Sequence, residues 1–553
     1  MANNLSSNTW RLLLCAVGAL LFIPFLGEAH LFDWDEINFA EAAREMLVTG
    51  NYSYVQINFK PFWEKPPLFI WMQVLSMSAF GVNEFAARLP NAICEILTTL
   101  LLFNIGNQLV SKNFGLLWVL VYLGSFLPQF YFRTGIIDPW FNLFIFFGVW
   151  QLVKASKTRE LGRKHLLLSS VAIGLAVLTK GPVAFLILTA SAGVYFILKF
   201  KSHQWKPSDF ILYTLIVLLV GFSFFFIEIV NGRGYIVQDF IDYHIRLITE
   251  SEAGHGQPFY YHFLVLLIGC FPMSWFFVAS YFKRNEIKWN HELLWMHIMF
   301  WIVLIGFSLV RTKIIHYSSL TYFPMSFVVA HYIHQLIEGN RQLPKVIPYV
   351  LLIISVILGS AFVLLGLLDQ IKEPLLSLLK ANPFGFACFS QEIPDGTFDP
   401  FIGLLFITGT LTGIYFILSK KLVAGVLLFF TTTLTTTTLL TLFIAPKMEL
   451  YMQGAIIQFY QDHAKTHHFR PLAMRSYAHL YYGESVELNH QSDDDLTWMA
   501  RSSDLDRPVY FVTRVGQEAQ VYKYFPEMNQ VARPGGYVVF ERGDKNYPFL
   551  KKD

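Results

Sequence analysis

The residues best suited to chemistry fall in a few short segments. Asp33-Trp34-Asp35-Glu36 places three acids in four positions directly after an apolar stretch at about residues 12–26. A carboxylate held at the lipid headgroups can take the proton of an acceptor hydroxyl, and Asp35 is the candidate base. Capping the helix that begins there is the alternative use of the same residue. Lys65, in Trp63-Glu64-Lys65-Pro66-Pro67, stands where tandem prolines start a helix, and a cation at that end opposes the macrodipole. Capping therefore fails as its role. A phosphate, or an ion pair with Glu64, Glu36 or Asp35, explains it. Asp138, in Arg133-Thr134-Gly135-Ile136-Ile137-Asp138-Pro139, fits either an N-cap before proline or a working carboxylate. Lys180, before Gly181-Pro182, fits a helix end as well as it fits an anion.

Two further groups join these. Arg311-Thr312-Lys313-Ile314-Ile315-His316-Tyr317 offers two cations and a phenol in one turn, an arrangement that can clamp an anion. His244, Arg246, Glu252 and His255 precede the aromatic run Phe259-Tyr260-Tyr261. Glu64 with His244 and His255 could hold a divalent ion such as zinc or magnesium, although the spacing matches no compact ligand motif and ordinary surface histidines are the alternative.

The elements that must position these groups follow from composition. Of 553 residues, 54% are hydrophobic and 15% charged, which is too apolar for a soluble chain of this length. A polytopic α-helical membrane protein is expected, with about thirteen crossings of roughly 18 to 22 residues each. The first crossing is retained, since no small-residue cleavage pattern follows it. A formal net charge of +3 supplies no broad basic field, so no nucleic-acid partner is expected. Four scattered cysteines suggest neither a disulfide framework nor a zinc site.

Loops bearing Lys112, Lys154, Lys157, Arg159, Arg163, Lys164, Lys199, Lys201, Lys206, Lys283, Arg284, Lys288, Arg341, Lys345, Lys420 and Lys421 fall on one side, which the positive-inside bias makes cytoplasmic. The N-terminus is then inside. The C-terminus is outside, along with three larger pieces: residues 28–88, residues 231–258, and a tail from about Pro446. Arg133, Lys180, Arg311 and Lys313 lie in outer turns against that bias, which points to a lipid phosphate.

Two domains are expected, a membrane part over residues 1–445 and a soluble outer domain over 446–553. Strand-like runs at Pro508-Val509-Tyr510-Phe511-Val512-Thr513 and Tyr537-Val538-Val539-Phe540 make that outer domain a small α/β unit. Residues 36–48 read as an amphipathic helix lying on the membrane surface, and residues 66–80 as a second interfacial helix too short to span. The threonine run from Thr431 to Thr438 reads as helix packing.

Together, Asp35-Glu36, Phe39-Ala40-Glu41-Ala42-Ala43-Arg44-Glu45-Met46-Leu47, Glu64-Lys65-Pro66-Pro67-Leu68, Phe80-Gly81, Ala87-Arg88-Leu89-Pro90, Asp138, Leu178-Thr179-Lys180-Gly181-Pro182, Pro258-Phe259-Tyr260-Tyr261 and Lys313 to Tyr317 resemble the bacterial 4-amino-4-deoxy-L-arabinose lipid A transferase group. That group is related to the protein O-mannosyltransferases and shares the glycosyltransferase C-type fold. The resemblance implies an inverting transferase that moves a sugar from a polyprenyl-phosphate carrier to a lipid A, glycan or protein acceptor, at the periplasmic face of the bacterial inner membrane. It implies Asp35 and Asp138 as catalytic carboxylates. Lys65, Arg246, Lys313 and Tyr317 would bind the carrier phosphate, Glu36, Arg88 and Lys180 would support them, and Glu64, His244 and His255 would match a metal position. The chain departs from the group at Ile37-Asn38-Phe39, where the arabinose transferases typically carry Thr-Arg-Tyr, so a neutral hydroxyl acceptor fits slightly better. A transporter or flippase, or a noncatalytic membrane scaffold, explains fewer of these features.

Overall fold

The computed structural model describes residues 5–155, 159–198, 207–250, 256–282, 290–393, 396, 398–488, 499 and 505–542. Among them, five helices are long and apolar enough to cross a membrane: Glu84–Leu109, His291–Leu309, Val346–Gly366, Asp399–Leu418 and the continuous run Leu422–His463. Three bent pairs bring the number to eight. Lys112–Leu123 meets Phe126–Arg133 at 87°, Ser208–Gly221 meets Ser223–Val230 at 57°, and Tyr261–Gly269 meets Met273–Ser280 at 111°. The chain is a multi-pass helical membrane protein.

Helix α1 (Ser7–Phe22) starts where the Ser6 hydroxyl accepts from Thr9 N–H at 3.1 Å. Helix α2 (Asp35–Thr49) carries the acidic segment and ends at Gly50, whose φ of +67° closes it with a left-handed turn. A two-residue hairpin, β1 (Gln56–Ile57) with β2 (Lys60–Pro61), leads to α3 (Leu68–Phe80) and then α4 (Glu84–Leu109).

The surface-lying reading of α2 is corrected here. Every residue from Glu36 to Met46 is buried, including Glu36, Asn38, Glu41, Arg44 and Glu45, so α2 has no polar face turned to water. Its charges find partners inside the protein. Arg44 forks onto Glu41 with both bonds at 2.7 Å and reaches the Ser485 carbonyl and hydroxyl at 2.9 Å. Glu45 accepts from the N–H groups of Asn58 and Phe59, at 2.6 and 2.9 Å, which seats the hairpin. Burial and the neighbouring Glu41 carboxylate push Glu45 up to about 9, so it stays protonated near neutrality.

The last apolar helix does not stop near Pro446. Forty-two continuous residues make a rod of about 63 Å, twice the hydrocarbon thickness, so only about half of it fits within a membrane. A π-helical turn at Leu440–Ile444 precedes Pro446 and relaxes the hydrogen-bond ladder that a proline would otherwise break. The threonine run packs as expected, with Thr433 and Thr437 bonded back to their own helix and Gln129 Nε2 donating to Thr438 at 2.6 Å.

After His463 comes a four-stranded sheet in the order β3 (His468–Pro471), β4 (Val509–Arg514), β6 (Tyr537–Arg542), β5 (Met528–Ala532). β3 runs parallel to β4, and the other pairs are antiparallel. The opposed pair Val512 and Val539 faces the core that contains Ile37, Phe39, Ala43, Phe69 and Tyr460. The next pair, Phe511 and Phe540, faces a smaller core of Val521, Phe525 and Met528. Strand alternation therefore buries both faces of the sheet and joins it to α2 and α3.

Candidate active site

Glu36 and Arg88 form the frame. Arg88 donates to both Glu36 carboxylate oxygens at 2.8 and 2.9 Å and to the carbonyls of Leu26, Ala29 and His30 at 2.7 to 2.9 Å, which uses all five guanidinium N–H groups. Glu36 also accepts from the N–H groups of Phe32 and Gly135. The clamp ties the segment that enters α2 to the turn that leads into Asp138. It is buried and saturated, which suits a support and leaves nothing for a substrate.

Asp138 begins the helix Asp138–Ala155, and Lys180 closes Arg159–Lys180. Lys180 Nζ donates to Asp138 Oδ1 at 2.6 Å, and His316 Nε2 lies 3.6 Å from Oδ2. The cap reading of Lys180 thus gives way to a buried ion pair. The Lys180 ammonium also sits 4.8 Å from the centroid of the Tyr317 ring and 5.6 Å from that of Phe141.

Lys65 donates to the Glu64 carbonyl at 3.2 Å and lies 5.0 Å from the Tyr243 ring centroid. Tyr243 and His244 belong to the amphipathic helix Tyr235–Thr249, which also carries Arg246. Gly181 lets this helix approach the end of Arg159–Lys180. Its φ is +104°, and an added Cβ would meet the Phe240 ring at 2.9 Å and His244 Nε2 at 3.6 Å. His244 Nδ1 bonds the Phe240 carbonyl at 2.8 Å. Burial first, then the charge of Lys65, and more weakly that of Lys180, hold His244 down to about 4. The end of helix Tyr235–Thr249 is pinned to the Arg311–Tyr317 turn by Thr312, whose hydroxyl donates to the Glu250 carbonyl at 3.0 Å. Lys313 is buried in that turn, with its ammonium donating to the Val310 carbonyl at 2.5 Å.

The structure thus gathers Lys65, His244, Lys180, Asp138, His316 and Tyr317 around one locus, with Arg246 and Lys313 on the two segments beside it. His316 as partner of Asp138 is read from the sequence only as part of the Arg311 to Tyr317 turn, and Tyr243 under Lys65 carries no signal there, because both contacts join segments distant in the chain. The Asp35 side chain and all of His255 lie outside the described residues. Of the expected metal set, Glu64 and His244 are among the described residues. His244 sits among the cations Lys65 and Lys180, and no group of three His, Cys, Asp or Glu among the described residues is placed to hold a metal ion.

The family model described as dolichyl-phosphate-mannose-protein mannosyltransferase matches residues 64–227. An undecaprenyl phosphate-alpha-4-amino-4-deoxy-L-arabinose arabinosyl transferase of Wigglesworthia glossinidia brevipalpis is 25% identical over 66% of this chain and 66% of its own length. A transferase of the same name from Proteus mirabilis is 26% identical over 68% of this chain and 70% of its own. The match thus spans about two thirds of these relatives. The crystal structure of ArnT from Cupriavidus metallidurans bound to undecaprenyl phosphate superposes with a TM-score of 0.73 over 97% of this chain and 98% of that one, at 16% identity. The chain shares the fold of that transferase. The resemblance read from the acidic loop and the cation motifs is borne out, and the C-type fold that it implied is the fold observed.

Proposed function

We propose that the chain is an inverting glycosyltransferase that takes a sugar from a polyprenyl-phosphate carrier and passes it to an acceptor hydroxyl at the outer, periplasmic face of the inner membrane. The observation that carries this reading is the gathering of Lys65 and Lys180, with His316 and Tyr317, around His244 and Asp138. Thirteen crossings, an inside N-terminus and an outside sheet-bearing domain over residues 446–553 belong to the same proposal.

In this mechanism Lys65, Arg246, Lys313 and Tyr317 hold the carrier phosphate. Asp35 takes the proton of the acceptor hydroxyl as its oxygen attacks the anomeric carbon from the face opposite the phosphate. The bond from carbon to phosphate oxygen breaks, its electron pair stays on the phosphate, and the cations stabilise that charge. Asp138 accepts from Lys180 through Oδ1, so its part is to hold Lys180 against Tyr317 in support of Asp35. Buried Asn38 brings no cation to the acid loop, which favours a neutral acceptor hydroxyl in a glycan or glycolipid.

The test uses purified protein in proteoliposomes with undecaprenyl-phosphate-linked sugars, reading carrier phosphate released. Asp35→Asn should reduce release by about 10² to 10⁴. Release at the wild-type rate removes Asp35 as the base. Native mass spectrometry with polyprenyl phosphate should show binding that phosphatidylglycerol does not match and that Lys65→Ala loses. Binding unaffected by that variant removes Lys65 from the phosphate site.

A further inference from the structure

The helix that carries the chain out of the membrane ends at His463, but its backbone turn continues for one more step. The N–H groups of Thr466 and His467 both donate to the His463 carbonyl at 3.0 Å. His467 therefore sits one turn beyond His463 on the same face. Their ring centroids are 5.8 Å apart with planes at 73°. Two imidazoles that share one ion at nitrogen distances of about 2.1 Å bring their centroids to about 5 Å, a difference that a small side-chain rotation covers.

The hydrogen bonds decide which nitrogens carry the lone pairs. His463 Nδ1 bonds the Phe459 carbonyl at 2.9 Å, so Nδ1 carries the proton and Nε2 the lone pair. The Thr466 hydroxyl gives its own proton to the His463 carbonyl at 3.1 Å, so at His467 Nδ1, 2.9 Å away, it acts as the acceptor. Nε2 of His467 is then also a lone-pair nitrogen. This is the outer-shell arrangement that orients histidine ligands in metal sites. Both rings are held in place, His463 stacked on Phe459 at 4.3 Å and His467 flat on Tyr510 at 3.9 Å. Glu541, in register with Tyr510 across β4 and β6, brings a negative charge towards His467. The next histidine, His468, is committed elsewhere, with Nε2 on Asp506 Oδ1 at 2.6 Å.

We propose that His463 and His467 form a chelating site for a divalent transition-metal ion at the joint between the long helix and the outer sheet, with water completing the shell. Two neutral imidazoles select borderline ions, with copper above nickel and zinc, and do not retain magnesium or calcium. The site uses none of the residues of the proposed transfer reaction, so the two readings fail separately.

The experiment uses the full-length protein in detergent, stripped with chelator and titrated with zinc chloride by calorimetry and with copper by electron paramagnetic resonance. One equivalent of zinc is expected, at least tenfold weaker in His463→Ala and in His467→Ala, unchanged in His468→Ala, with copper tighter than zinc. His467→Gln keeps a polar group of similar reach without a ring and should lose the site as well, and metal-free melting curves verify that each variant is folded. Zinc binding that survives either substitution, or that follows His468, overturns the proposal.

Discussion

At the scale of single residues, Asp138 is placed to support the proposed reaction by holding Lys180. Lys180 donates to one of its oxygens at 2.6 Å, and His316 Nε2 lies 3.6 Å from the other. Asp138→Asn should therefore lower turnover about as much as Lys180→Met. The double variant should be no worse than either single one, since both remove one interaction. Additive losses, read as kcat/KM from carrier release, would show that the two act independently. His244 makes a pH prediction. Its folded value of about 4 lies below the ordinary histidine value of about 6.5, so between those limits the unfolded chain binds a proton that the folded one refuses. Its contribution to stability is complete above about pH 6.5 and is lost as pH falls towards 4. His244→Gln should flatten the fall of melting temperature across that window, and an unchanged slope would place the sensitivity elsewhere.

At the scale of elements, Arg88 fastens α4 to the chain that enters α2. Three carbonyls and one carboxylate depend on the fork of its guanidinium. Lysine keeps the charge but offers three donors from one point, so Arg88→Lys leaves buried acceptors unpaired. A loss of at least about 2 kcal/mol is expected, read as a lower melting temperature, together with reduced transfer although Arg88 is not expected to touch substrate. Gly181 does comparable work at a joint between helices. Gly181→Ala combines a left-handed backbone with a Cβ 2.9 Å from Phe240, and it should displace His244 and weaken carrier binding in native mass spectrometry.

At the scale of the molecule, the four-stranded sheet and the segment that carries α2 and α3 are one packed body. Ile456, Tyr460, Val512 and Val539 share a core with Ile37, Phe39 and Phe69, and the Tyr482 hydroxyl accepts from Leu31 N–H at 2.6 Å. Removing residues 464–553 should therefore expose the apolar side of α2, abolish transfer and open residues 28–68 to limited proteolysis. A truncated protein that keeps that segment protected would show that the loop folds without the sheet.

The sequence by itself determined the membrane class, the two strands nearest Tyr510 and Val539, the short helix at residues 66–80 and the segments from which the cations come. Each is written locally, in runs of apolar residues, in alternation, or in a charge where its surroundings disfavour one. Tertiary structure alone decided the partners. Arg88 meets Glu36 across 52 positions, Lys180 meets Asp138 across 42, and Arg44 meets Ser485 across 441. Helix α2 shows why local signals fall short. Its charged residues Glu36, Glu41, Arg44 and Glu45 look fit for water by type, yet all four are buried because Arg88, the fork between Arg44 and Glu41, a hairpin and the distant Ser485 satisfy them. Periodicity reports which faces differ in polarity, whereas burial depends on which surfaces the rest of the chain brings against them.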